Sequence, residues 1–335
     1  MSDALNLATP IPAPRAGQRF TFSGLVGSAD AALIAQSALK YRGHFSVMVI
    51  FCAQAQEAQR LLEEIPGFAP QLKTRLLPDW EILPYDHFSP HQDLVSERLA
   101  TLYELLNGSC DVVLVPITTA LQRLGPPHFL SGHTFFFRQG DKLNEAALKL
   151  QLQQAGYDPV SAVIRPGEYS IRGGLIDLFP MGSSLPYRLD LFGDEIEQIR
   201  AFDPDTQRSL YPVKEVRLLP GHEFPFDDVS RTAFRNRWRE VFEGDPTRCS
   251  IYKDANLGIP SAGIESYLPM FFEEKSSLFN YFPRSGDPVW IWSIGDIEET
   301  IRGFWKDTQS RYEFLKHDLD TVSYTHLTLP TILLV

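Results

Sequence analysis

EYSIRGGLIDLFPMGSSLPYRLDLFGDEIEQIRAFDPDTQRS, residues 168–209, reads as four short strands separated by turn signals. Residues 168–172 and 175–179 flank the Gly173-Gly174 pair, residues 187–192 alternate in polarity, and residues 195–202 follow a Gly193-Asp194 turn. A period of two in 187–192 sets Tyr187, Leu189 and Leu191 on one face, with Arg188, Asp190 and Phe192 on the other. An aromatic side chain beside an arginine, opposite the apolar face, is the composition of a binding hot spot. Two readings of Phe192 stand at this point. It is an exposed anchor, or it is core in a strand buried on both faces.

Working outward, residues 135–137 are strand-like, and residues 144–156 form a short helix that opens on an Asn cap and closes on Gly. Residues 129–218 therefore read as a small α+β domain. Upstream, residues 21–128 alternate strand and helix. Residues 46–52 and 111–115 are apolar runs suited to buried parallel strands, and residues 54–64 are helical. Residues 94–106 carry Val95, Leu99, Leu102 and Leu106 on one helical stripe. This order predicts an α/β domain with a mostly parallel sheet. Downstream come a helix over 230–242, a loop-rich stretch around 264–272, a strand over 288–294 and a helix over 296–317. Residues 219–322 have too few strands for a sheet of their own and are expected to complete the first domain, leaving the middle one as an insertion. Residues 1–20 form a Pro-rich lead-in.

The chain has 335 residues, room for two or three domains, with 44% hydrophobic and 22% charged residues. A formal net charge of -11 argues against a protein whose main work is gripping phosphate backbones. Cys52, Cys110 and Cys249 lie far apart without metal or redox spacing, which suits a reducing cytoplasm. The start lacks the basic and apolar regions of a secretory signal, and no apolar run is long enough to span a bilayer.

Residues 24–31, GLVGSADA, sit ahead of a helical stretch where a phosphate loop would read G-x-x-x-x-G-K-[ST]. Counted from Gly24, Ala29 stands for the second glycine, Asp30 for the lysine and Ala31 for the hydroxyl residue. An aspartate in place of the lysine repels phosphate rather than attracting it, so no nucleotide hydrolysis is expected here. The string Leu189–Glu195 resembles a Walker B acid pair, but its alternation and its Gly193-Asp194 turn fit a hairpin better. His87 and His91 are four apart with Pro90 between them and no further ligands nearby, so no metal site is expected. Residues 79–86 form an acidic, aromatic loop, expected to be packed down by Trp80 and Tyr85. No nucleophile elbow is present.

Three segments, WEILPYDHFSPHQDLVSERLATLYEL (80–105), DVVLVPITTALQRL (111–124) and the opening stretch, resemble the amino-terminal module of bacterial transcription-repair coupling factors. That module is similar to the front of the excision-repair subunit UvrB. The resemblance covers residues 20–319 and implies a UvrB-like degenerate P-loop (helicase-type) α/β domain interrupted by a small UvrA-binding domain. It implies docking contacts at Arg172, Arg188 and Phe192, with UvrA as the partner. In UvrB the motif matching residues 85–90 leads into a long DNA-clamping hairpin; here Gln92-Asp93 passes directly into a helix, which implies no clamp. The expected function is non-catalytic recruitment of excision repair to RNA polymerase stalled at DNA damage. ATP, magnesium, DNA and RNA polymerase would be engaged by parts of such a protein beyond this chain, and the setting would be cytoplasmic. A UvrB-like ATP-dependent damage-processing enzyme and a DNA-binding module are the rival readings. Residues 323–335 depart from the resemblance: 324–335 are uncharged and strand-prone, and read as a sequence artefact or an exposed apolar tail.

Overall fold

Val47–Cys52 (β1) consists of six buried residues, so it needs cover on both faces and pairing on both edges. The structure is a computed structural model that describes residues 13 and 15–317, apart from 85, 243–244, 275 and 283–287. The expected tail and most of the Pro-rich lead-in lie outside the described residues. Contacts divide the chain into two units: Met1–Asp79 with Thr101–Leu121 and Tyr281–Trp305, and Trp80–Ala100 with Gln122–Asn280 and Lys306–Val335.

In the first unit β1 lies between Val112–Pro116 (β3) and Val289–Ile294 (β12), and Thr74–Leu76 (β2) pairs with the far side of β3. All three pairings are parallel. Parallel neighbours require crossovers, and the chain supplies Ala55–Phe68 (α2) between β1 and β2, and Gln92–Leu106 (α3) between β2 and β3. Ala29–Lys40 (α1) and α2 pack their apolar stripes over β1 and β3, joining Ile34, Ala38, Leu61 and Ile65 to Met48, Ile50 and Leu114 in one core. The short helix Ile117–Ala120 (α4) follows β3 and is tied back by Thr118 and Thr119, whose hydroxyls donate to Asp79 at 2.6 and 3.1 Å. This is the α/β fold with a mostly parallel sheet that the strand–helix alternation predicts. The α3 stripe buries Val95, Leu99, Leu102 and Leu105; the helix begins at Gln92, and its last buried position falls one residue earlier than the expected Leu106.

The second unit holds a six-stranded sheet in the order β10-β9-β8-β7-β6-β5. Its strands are Asp158–Pro159 (β5), Glu168–Arg172 (β6), Leu175–Leu178 (β7), Tyr187–Phe192 (β8), Glu195–Phe202 (β9) and Ser209–Val213 (β10). The four central strands are those read from the sequence. The two edge strands escaped that reading because β5 is two residues long and β10 contains Pro212, a residue that demotes a run to edge strand. Phe135–Arg138 (β4) pairs separately with Glu215–Leu218 (β11). Between β4 and β5 lies Glu145–Gln154 (α6), capped as expected: Asn144 Oδ1 accepts the Ala147 N–H at 2.9 Å.

Residues 219–280, grouped with the first domain in the sequence reading, fall in the second unit, as do 80–100 and 122–128. The physical reason is an aromatic core. Asp228–Val241 (α7) buries Phe234 and Trp238, which join Trp80, Phe129, Phe224, Tyr252, Tyr267 and Phe271 in one cluster. Pro127–Gly132 (α5), Ser250–Leu257 (α8) and a 3-10 segment, Ile264–Phe271, contribute to the same core. Trp80 is packed down as the loop reading expected. Its indole N–H donates to Glu223 at 2.9 Å, and the Arg98 guanidinium sits 4.9 Å from its ring centre. Tyr85, its expected companion, lies outside the described residues. Ile297–His317 (α9) ends the described chain. Among the described residues no helix is long and apolar enough to cross a membrane.

Candidate protein-docking face

The β8–β9 hairpin turns on Gly193 and Asp194, with Phe192 opposite Glu195. Gly193 has φ 64 while Asp194 keeps an ordinary negative-side backbone, the pattern of a type II′ turn, which matches the twist of the flanking strands. The string Leu189–Glu195 is therefore part of an antiparallel hairpin. The register slips between Asp190 and Leu191, where Asp190 faces Gln198 but Leu191 faces Ile196. The extra residue belongs to β9, so β8 keeps its alternation. Leu189 lies against Ile199, and Leu191 against Ile196, on the core side; Ile196 and Ile199 are fully buried. Arg188, Asp190 and Phe192 share the opposite side, and Phe192 is 79% exposed. Of the two readings open for Phe192, the structure has the exposed one.

Arg172 ends β6, and the Gly173-Gly174 turn returns the chain into β7 with Arg172 opposite Leu175. Ser170 is then opposite Asp177, and Asp177 is opposite Arg188. This register puts one carboxylate between two arginines. Asp177 accepts two bonds from Arg188, at 2.7 Å from Nε and 2.9 Å from Nη2, and one from Arg172 Nη2 at 2.8 Å. The Asp177 side chain is 1% exposed, Arg188 15% and Arg172 55%. The hydrogen bonds to Asp177 raise the Arg188 guanidinium above the ordinary arginine range, outweighing the opposing effect of burial. Arg188 Nη1 also donates to the Gln207 carbonyl at 3.3 Å, and the guanidinium plane lies 4.8 Å from the Phe202 ring centre. Phe202 is buried with Val163 and Phe179, so this end of the outer face is closed while the end bearing Arg172 and Phe192 is open.

The structure thus gathers two of the three resemblance-derived residues, Arg172 and Arg188, on one buried acid and leaves Phe192 exposed at the hairpin tip. Sequence reading missed Asp177. Its signal is an acid inside the apolar run Leu175–Leu178, where a buried carboxylate is costly unless it is paired.

The second candidate, residues 24–31, leads into α1, whose first turn contains Ala29, Asp30 and Ala31. Arg60 holds the Asp30 carboxylate with two bonds, at 2.5 and 3.1 Å, and also reaches Glu64 at 2.7 Å. Ala31 is fully buried. A side chain at position 30 is thus committed to a neighbouring helix.

Residues 135–224 match the sequence model of the UvrB interaction domain family, a span that begins at β4 and runs past β11. The small sheet and its arginine-bearing face lie within this matched segment. Over 300 residues, 89% of this chain, the sequence is 44% identical to the transcription-repair-coupling factor of Escherichia coli, covering 26% of that protein. It is 41% identical over 276 residues to that of Haemophilus influenzae (82% of this chain, 24% of the relative) and 34% identical over 286 residues to that of Myxococcus xanthus (82% and 24%). Over the matched residues the chain is similar to these transcription-repair-coupling factors, and it spans about a quarter of their length.

Proposed function

We propose that this chain is a non-catalytic recruitment module that docks UvrA, so that excision repair is directed to RNA polymerase stalled at DNA damage. The observation that carries the reading is the outer face of the six-stranded sheet. It presents a 79%-exposed Phe192 beside arginines pre-set by a buried carboxylate, inside the segment that matches the UvrB interaction domain. A rigid aromatic anchor flanked by ordered cations is how protein interfaces concentrate binding energy. Isothermal titration of purified UvrA into this chain tests it. Phe192→Ala should weaken binding by about 2 kcal/mol, roughly 30-fold, with the unfolding midpoint unchanged because the ring is exposed. Unchanged affinity in this variant would sink the assignment of the face.

The same reading has residues 24–31 bind no nucleotide. The Asp30–Arg60 pair supports it, because a carboxylate already bound by arginine occupies the place where a phosphate loop needs a free lysine. Calorimetry with magnesium-ATP should give no saturable heat; a saturable isotherm would favour the rival ATP-dependent enzyme. DNA and RNA polymerase are assigned to parts of the longer relatives that this chain does not span.

A further inference from the structure

Arg188 is the least available of the arginines on the docking face. Its Nε and Nη2 are taken by Asp177, its Nη1 faces the Gln207 carbonyl, and its side chain is 15% exposed. The sheet register points to another cation. Directly opposite Arg188 on β9 is Arg200, so the two side chains leave the same face of the sheet. Like charges opposite one another are destabilising unless each has its own counter-ion. Here each has one: Asp177 serves Arg188, and Asp190, diagonally placed on β8, accepts from Arg200 Nη2 at 2.6 Å. Asp190 engages a single Arg200 N–H. The Nε–H is buried and has no partner, while the side chain as a whole is 34% exposed, more than twice as open as Arg188.

Cross-strand order then lays out the face. One row runs Ser170, Asp177, Arg188, Arg200, Pro212 across β6 to β10, and the next runs Arg172, Leu175, Asp190, Gln198. Arg172 and Arg200 flank the half-buried centre, each held by an acid and each with N–H donors left over. Across these two rows three guanidiniums meet two carboxylates, Asp177 and Asp190, and Glu195, opposite Phe192, adds a carboxylate at the hairpin tip; the chain as a whole has a formal net charge of -11.

We infer that Arg200 is a further contact residue of the docking face, that Arg188 acts mainly by holding Asp177 in place between the flanking cations, and that the partner surface meeting Arg172 and Arg200 is acidic. The inference rests on the docking reading above and adds to it a residue and the partner's chemistry. Guanidiniums with ordered geometry and unspent donors select carboxylates, which accept them in pairs.

UvrA binding to this chain is measured for wild type, Phe192→Ala, Arg200→Gln and Arg200→Lys, at low and high salt, with urea midpoints for each. Arg200→Gln should weaken binding about tenfold, Arg200→Lys should lose less because the charge remains, and the loss should shrink as salt rises. A steeper salt dependence for wild type than for Arg200→Gln reports the acidic partner. If Phe192→Ala weakens binding while Arg200→Gln binds as wild type does, the role of Arg200 is overturned and the docking reading stands. If Arg200→Gln and Arg200→Lys weaken binding equally at all salt concentrations, the acidic partner is overturned. Failure of wild type to bind UvrA would overturn both. A fall in the urea midpoint of Arg200→Gln that Arg200→Lys matches, with Arg200→Lys binding as wild type, would mark Arg200 as a framework residue only.

Discussion

Asp177 ties together two arginines of the face proposed for docking, although its own side chain is 1% exposed. A carboxylate removed from water is costly unless it is paired and hydrogen-bonded, and Asp177 accepts three charge-assisted bonds from two guanidiniums. Its removal leaves Arg188 half-enclosed without a counter-ion. Asp177→Ala is expected to lower stability by about 3 kcal/mol or more, and Arg172→Ala, which removes an exposed partner, by less than about 1 kcal/mol. Urea unfolding of the two variants checks the ranking; equal losses would mean that the acid is not the centre of the cluster. The deeper pair, Arg98 with Glu223 at 2.6 Å, follows the same logic within the aromatic core, where both side chains are almost wholly buried.

At the scale of single elements, the β8–β9 hairpin holds Phe192 at its tip by turn chemistry rather than by packing. Gly193 adopts φ 64, a conformation that L side chains enter at a cost, yet an added Cβ would meet nothing within 4 Å. Gly193→Ala therefore isolates backbone strain. It should cost about 1 kcal/mol in stability, measured by urea denaturation, with no cavity or clash to complicate it. No loss at all would indicate that the turn relaxes to another type. The neighbouring Gly173 carries a positive φ for the same reason, and that turn sets Arg172 into register with Leu175.

At the scale of the molecule, the first unit is built around a sheet whose central strand β1 is completely buried, and the chemistry of its thiols follows. Burial pushes Cys52 and Cys110 up to about 12, so at pH 8 about one thiol in ten thousand is ionised. In a Cys249→Ala background, a thiol-specific disulfide reagent should label neither residue in native buffer and both in denaturant. Rapid native labelling would place the opening of this unit far below its global stability. The acidic whole, at -11, and the arginine-bearing sheet face also belong together at this scale, because association with the proposed acidic partner then depends on the orientation of the face rather than on total charge.

Periodicity alone carried much of this structure. The four central strands of the small sheet, the Asn144 cap, the parallel pair β1 and β3 and the face shared by Arg188 and Phe192 all follow from local pattern, since strand alternation and capping are properties of neighbours in the chain. Local pattern did not reach the partners across strands. Whether Phe192 is exposed depends on what covers the outer face. The meeting of Arg172 and Arg188 on Asp177, and of Arg200 on Asp190, depends on register across β6 to β9 and on a bulge in β9. The place of residues 219–280 depends on an aromatic core whose members are up to about 190 positions apart, from Trp80 to Phe272. Hydrophobic side chains show that they will be buried without showing against what, because burial free energy is non-directional. Only the folded chain decides which rings share a core and which charges share a carboxylate.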